Sequence, residues 1–112
     1  MKRYVVSELT LTQADKGKSI TVQQGDVVLI RLPENPTTGY RWAVEEIDED
    51  ILNLEDSGFA LPSDVGIGGG GERTLRFIAK STGTTHLELE LRREWEVDTP
   101  ASQRYGLMIQ VE

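Results

Sequence analysis

A chain of 112 residues with a formal net charge of −7, 38% hydrophobic and 28% charged residues has the composition of an ordinary globular domain, long enough to bury roughly two-thirds of the surface its unfolded form would expose. It contains no cysteine and one histidine, His86, which excludes a disulfide framework, a thiolate metal site, a cysteine nucleophile and a zinc site built from histidines. The acids are dispersed, which argues against nucleic acid or another polyanion as partner, and no apolar run approaches the ~20 residues of a membrane span.

In chain order, Met1-Lys2-Arg3 is followed by only Tyr4-Val5-Val6 before polar residues return, so no secretory signal is expected. The chain reads as cytoplasmic, or as periplasmic or secreted with a signal peptide removed. From there the segments alternate with period two, and none sustains a helical stripe. YVVSELTL at 4–11 is the first predicted strand, and the turn Asp15-Lys16-Gly17-Lys18 leads to SITVQ at 19–23. The turn Gln24-Gly25-Asp26 leads to VVLIRL at 27–32, which reads as a buried strand. After NPTTGY come RWAVEEI at 41–47, with Trp42 assigned to the core beside Val44, and a short candidate strand ILNLE at 51–55. TLRFIA at 74–79 precedes the turn Ser81-Thr82-Gly83, and YGLMIQV at 105–111 closes the series. The clearest alternation is THLELELR at 85–92: Leu87, Leu89 and Leu91 point one way, and His86, Glu88, Glu90 and Arg92 the other, as in a half-buried strand.

Seven to eight short strands at this spacing predict an all-β fold, an immunoglobulin-like antiparallel β-sandwich whose core relies on apolar packing without the usual cysteine pair. No repeat or linker interrupts residues 1–112, which read as a single domain. Three connections are not ordinary turns: NPTTGY at 35–40, the glycine-rich stretch at 62–74 and RREWEVDTPAS at 92–102. Connections in a sandwich alternate between its two ends. With ILNLE counted, two strands separate each of these connections from the next, so all three belong at one end.

Gly66 to Gly71 matches G-x-G-x-x-G, but a dinucleotide site needs a helix after the glycines, and here a strand follows. No cofactor is expected. Four consecutive glycines, Gly68, Gly69, Gly70 and Gly71, leave the backbone free to lie against another surface, although composition alone favours a flexible linker. In NPTTGY, Pro36 fixes its own φ and pushes Asn35 out of the helical region, Gly39 permits a positive φ, and Thr37 and Thr38 are χ1-restricted. The loop is pre-shaped with two hydroxyls near its tip, or is simply a structural turn. Trp95 lies between Glu94 and Glu96, after Arg92-Arg93; it either caps the sandwich or anchors an interface, where Trp and Arg are enriched.

Taken together, NPTTGY, G-x-G-G at Gly68 to Gly71 and Arg93-Glu94-Trp95 in the place of an Arg-Pro-Trp resemble the three signature loops of the chagasin family, protein inhibitors of papain-like cysteine proteases. The resemblance covers nearly the whole chain. It implies an immunoglobulin-like sandwich that inserts three loops into the protease cleft, reversibly and competitively, as a monomer with no enzymatic activity of its own. It also implies a central NPTTG loop (Asn35 to Gly39, then Tyr40) with Thr37 nearest the catalytic cysteine. The glycine loop would lie on the non-primed side, and Arg93 and Trp95 on the primed side. Glu94 departs from the family's proline, which removes a φ constraint and adds a negative charge beside Trp95. Gly66 to Gly69 would match the second motif as well. The alternative is a non-inhibitory immunoglobulin-like binding or adhesion module using the same loops. An enzyme is disfavoured by the lack of cysteine, the one solvent-facing histidine and the lack of cleft-forming insertions.

Overall fold

The computed structural model describes residues 7–61, 70–93, 95 and 100–112. Among these residues it has eight strands: β1 Glu8–Leu11, β2 Ser19–Val22, β3 Val27–Glu34, β4 Tyr40–Glu46, β5 Leu52–Ala60, β6 Gly71–Ala79, β7 Gly83–Arg93 and β8 Gln103–Val111. They form two four-stranded sheets, ordered β1-β3-β6-β5 and β2-β8-β7-β4. ILNLE is therefore the start of a full edge strand, while Tyr4 to Val6 of the first predicted strand lie outside the described residues.

The expected sandwich is present, with one parallel pair in each sheet: β1 with β3 and β2 with β8. Every other pair is antiparallel. Strand parity accounts for this. Each connection reverses the chain, so strands whose numbers differ by an even count run the same way, and β2 intervenes between β1 and β3 in the opposite sheet.

The core follows the period-two pattern. Val28, Ile30 and Leu32 of β3 and Leu87 and Leu89 of β7 are completely buried, in one cluster with Phe77, Tyr105, Leu107 and Ile109. Burying a side chain of this size stabilises by about 1.5–3 kcal/mol. Trp42 is 2% exposed and belongs to this cluster, as expected. Tyr105 sends its hydroxyl to the Thr12 carbonyl at 2.8 Å, a tie between β8 and the turn after β1. Burial, then the nearby Asp15 charge, push its phenol up to about 12.

Several strands outrun their sequence-based limits, among them β3, β6 and β7. β3 continues through Pro33 to Glu34. A proline is tolerated there because β1 pairs only as far as Ile30, which leaves one side of β3 open. β7 runs to Arg93, and β6 begins at Gly71, so both residues are strand ends and not loop tips. Gly71 is needed in this strand because a Cβ would run into the Phe59 ring and come within 2.6 Å of the Ala60 carbonyl oxygen.

Candidate functional site

The loop between β3 and β4 is held by its own atoms. Asn35 is extended, with φ −108°, as the following proline requires. Its side-chain oxygen then caps a 3-10 turn at Pro36–Thr38, accepting from the Thr37 amide at 3.0 Å and the Thr37 hydroxyl at 2.7 Å. The Thr38 hydroxyl donates to the Asn35 carbonyl at 2.7 Å and accepts from the Tyr40 amide at 3.3 Å. Gly39 ends the turn at φ +80°, a left-handed conformation that glycine adopts without strain. Pro36, Thr37 and Thr38 remain exposed. Both hydroxyls spend their protons inside the loop, so what they offer a partner is oxygen lone pairs on a fixed frame.

Strand register makes this loop the middle of three. Glu34, just before it, pairs with Gly71. Tyr40, just after it, pairs with Arg93. The loop thus steps from one sheet to the other, with the exit of the glycine connection on one side and the end of β7 on the other. A Cβ on Gly70 would sit 3.9 Å from Asn35 Cβ. On the far side, the Arg93 Nε donates to the Thr38 carbonyl at 3.0 Å. Its guanidinium lies 4.5 Å from the Tyr40 ring centroid and 5.9 Å from that of Trp95, contacts worth about 0.5–1 kcal/mol each at exposed sites.

Trp95 does not cap the core. It is 69% exposed, yet its indole lies over Gly39, where a Cβ would come within 2.6 Å of Trp95 Cη2. The even-strand expectation is thereby met: the described flanks of all three connections lie at one end. Gly68, Gly69 and Glu94, and the alternative glycine register beginning at Gly66, lie outside the described residues. His86 is remote from this end. It sits on the outer face of its sheet opposite Met108, with its Nδ1 3.4 Å from a Glu46 oxygen.

Beneath the loop is a feature that sequence reasoning passed over. Glu34 and Arg73 form an ion pair at 2.8 Å, with side chains 3% and 8% exposed. The same carboxylate accepts from the Trp42 amide at 2.7 Å, and the Trp42 indole N–H donates to the Pro33 carbonyl at 2.9 Å. Arg73 also reaches Ser57 Oγ at 3.3 Å and stands over the Phe59 ring. This pair floors a cleft of about 320 Å³ bordered by Pro36, Gly39, Tyr40, Arg41, Phe59 and Trp95. The available signal was periodicity: Glu34 continues the inward series Val28, Ile30, Leu32, and Arg73 begins the series Leu75, Phe77, Ala79. Among the described residues no group of three or more His, Cys, Asp or Glu side chains could hold a metal ion.

A cysteine-free, eight-stranded immunoglobulin-like sandwich that brings the described flanks of two unusual connections to either side of one stiff loop has the build of a loop-presenting binding protein. Residues 21–109 match the Chagasin family peptidase inhibitor I42. Chagasin of Trypanosoma cruzi is 31% identical over 104 residues, which cover 88% of this chain and 94% of that protein. The fold superposes on the crystal structure of the cysteine protease inhibitor EhICP2 from Entamoeba histolytica with a TM-score of 0.86, over 96% of this chain and 97% of that one, at 24% identity. It also superposes on PbICP-C, solved in complex with falcipain-2, with a TM-score of 0.66 over 96% and 91% of the two chains, at 14% identity. The chain belongs to the chagasin family of peptidase inhibitors.

Proposed function

We propose that the chain is a reversible, competitive and non-covalent inhibitor of papain-like cysteine endopeptidases, which inserts the three connections at one end of its sandwich into the active-site cleft. The observation that carries this reading is the NPTTG loop: exposed at its tip, internally bonded through Asn35, Thr37 and Thr38, and flanked by the other two connections. Such a loop loses little freedom on docking, and preorganisation of this kind raises affinity by lowering the cost of association. An inhibitor does no chemistry of its own. It must fill the cleft without offering the thiolate and its oxyanion donors an aligned scissile carbonyl, and a tight 3-10 turn departs from the extended backbone of a substrate.

In this reading Thr37 stands nearest the catalytic cysteine, while Asn35, Pro36, Thr38, Gly39 and Tyr40 hold its loop in shape. Gly68 to Gly71 lie along the non-primed side by main-chain contacts. Arg93, Glu94 and Trp95 meet the primed side, where the exposed indole supplies an anchor of the kind that dominates interfaces. The interface is of standard size, ~800 Å² per partner.

The test is a titration of papain activity with the purified chain, with Thr37→Arg as control, because a long charged side chain at the tip clashes inside a cleft. Tight inhibition that the substitution abolishes, with the inhibitor recovered uncleaved, is the expected result. Undiminished inhibition by Thr37→Arg refutes the central position of the loop. No inhibition by either the native chain or Glu94→Pro, with papain and other papain-like enzymes, favours a binding module with another partner.

A further inference from the structure

The Glu34–Arg73 pair is costly to build. Removing two charges from water carries a large penalty, and apolar residues of similar size often serve stability as well or better. Its geometry suits positioning. Glu34 directly precedes Asn35, Trp42 lies two residues past the first residue of β4, and Arg73 two residues past the first residue of β6. One carboxylate therefore joins both feet of the NPTTG loop to the strand that leaves the glycine connection, through the Trp42 amide at 2.7 Å and the Arg73 Nη2 and Nε at 2.8 and 3.1 Å. Arg73 extends the tie to Ser57 on β5. Four strands from both sheets thus meet at a single point under the loops.

We infer that the Glu34–Arg73 pair is a positioning element that fixes the NPTTG loop and the glycine-connection exit relative to each other, and so sets how slowly a bound peptidase is released without touching it. This inference rests on the inhibitory reading above. The same two strands supply an internal control. Arg31 of β3 and Glu72 of β6 pair at 2.6 Å with their side chains 51% and 40% exposed, so Glu72→Gln breaks a β3–β6 ion pair that is not part of the buried tie.

The experiment compares wild type, Glu72→Gln, Glu34→Gln and the double variant Glu34→Gln/Arg73→Met. Melting temperature, papain dissociation rate and amide hydrogen exchange at Thr38 and Gly39 in the free chain are measured for each. The double variant leaves no unpaired buried charge and keeps an acceptor for the Trp42 amide, so it is expected to fold and to melt within about 5 °C of wild type. It should nevertheless release papain about tenfold faster, equivalent to about 1.4 kcal/mol, with faster exchange at both amides, while Glu72→Gln matches wild type in all three. Wild-type release by the double variant overturns the inference. So does faster release with unchanged amide exchange, which would place the effect elsewhere than the loop, and so does an equal effect of Glu72→Gln. If neither wild type nor Glu94→Pro inhibits papain or other papain-like enzymes, the inhibitory reading is at fault and the amide-exchange comparison alone decides: unchanged protection in the double variant overturns positioning, and lost protection upholds it.

Discussion

Gly39→Ala perturbs two of the three connections with a single methyl group. Gly39 sits at φ +80°, where an L-residue is strained by roughly 1–2 kcal/mol. The new Cβ would also lie 2.6 Å from Trp95 Cη2 and 3.4 Å from its Cζ2 and Cζ3. That indole is the far end of a side chain 69% exposed, so it can swing aside at small expense to the fold. The stability loss should therefore be the backbone term alone, about 1–2 kcal/mol, which for a domain of this size lowers the melting temperature by about 4–8 °C. Inhibition should suffer more than stability, because the displaced indole also leaves the Arg93 guanidinium that it faces. The assay pairs thermal unfolding with papain titration and adds acrylamide quenching, in which exposed Trp95 is distinguishable from buried Trp42. Gly39→Asn separates the two effects, since asparagine tolerates a left-handed backbone but still collides with the ring. An unchanged melting temperature in Gly39→Ala would refute the strain reasoning. Unchanged inhibition would refute the view that Trp95 must rest on Gly39.

Three further outcomes are expected. Trp95→Ala should weaken papain binding by about 2 kcal/mol or more while leaving the melting temperature nearly unchanged, because the indole lies outside the core; inhibition constants and a thermal melt check both parts. Gly71→Ala should destabilise by about 1–3 kcal/mol, because its Cβ would meet the Phe59 ring and a backbone oxygen that cannot yield, and urea unfolding measures it. Tyr105 binds its proton more tightly folded than unfolded, with a phenol raised from 10.0 to about 12. Its contribution is therefore fully present below pH 10 and is lost as the pH rises toward about 12, and Tyr105→Phe should flatten that decline in alkaline unfolding curves.

Most of the architecture was legible because it depends on local rules. Alternation in Leu87, Leu89 and Leu91 gave the strand and its buried face. Strand parity placed the three connections at one end, and the same parity, carried one step further, yields the two parallel pairs. Inside NPTTGY, the constraint of Pro36 on Asn35 and the positive φ of Gly39 follow from covalent geometry. The hydroxyl bonds of Thr37 and Thr38 do not, because they depend on where the Asn35 side chain turns. Strand ends were the weak point. Pro33 reads as a terminator unless one knows that β3 is open on one side beyond Ile30, and Gly71 reads as loop until Phe59 is seen against it. Glu34 and Arg73 were missed for a related reason: a charge at the end of an alternating run suggests solvent, and only their meeting across β3 and β6 shows that it is the core.

The position of β8 bears on how the molecule is made. One sheet, β1-β3-β6-β5, is complete once residues up to Ala79 are available, but in the other, β8 lies between β2 and β7. Ser19 to Val22 must wait for Met108 to Val111 before they can pair. On a ribosome the first sheet can therefore assemble while the second lacks an interior strand, and β4 and β7, which carry Tyr40 and Arg93, have no finished sheet to hold them. Pairing at such long sequence separation is slow, and domains close as units when their last strand arrives. The second sheet, and the strands that carry Tyr40 and Arg93, can therefore be completed only after β8 has been made.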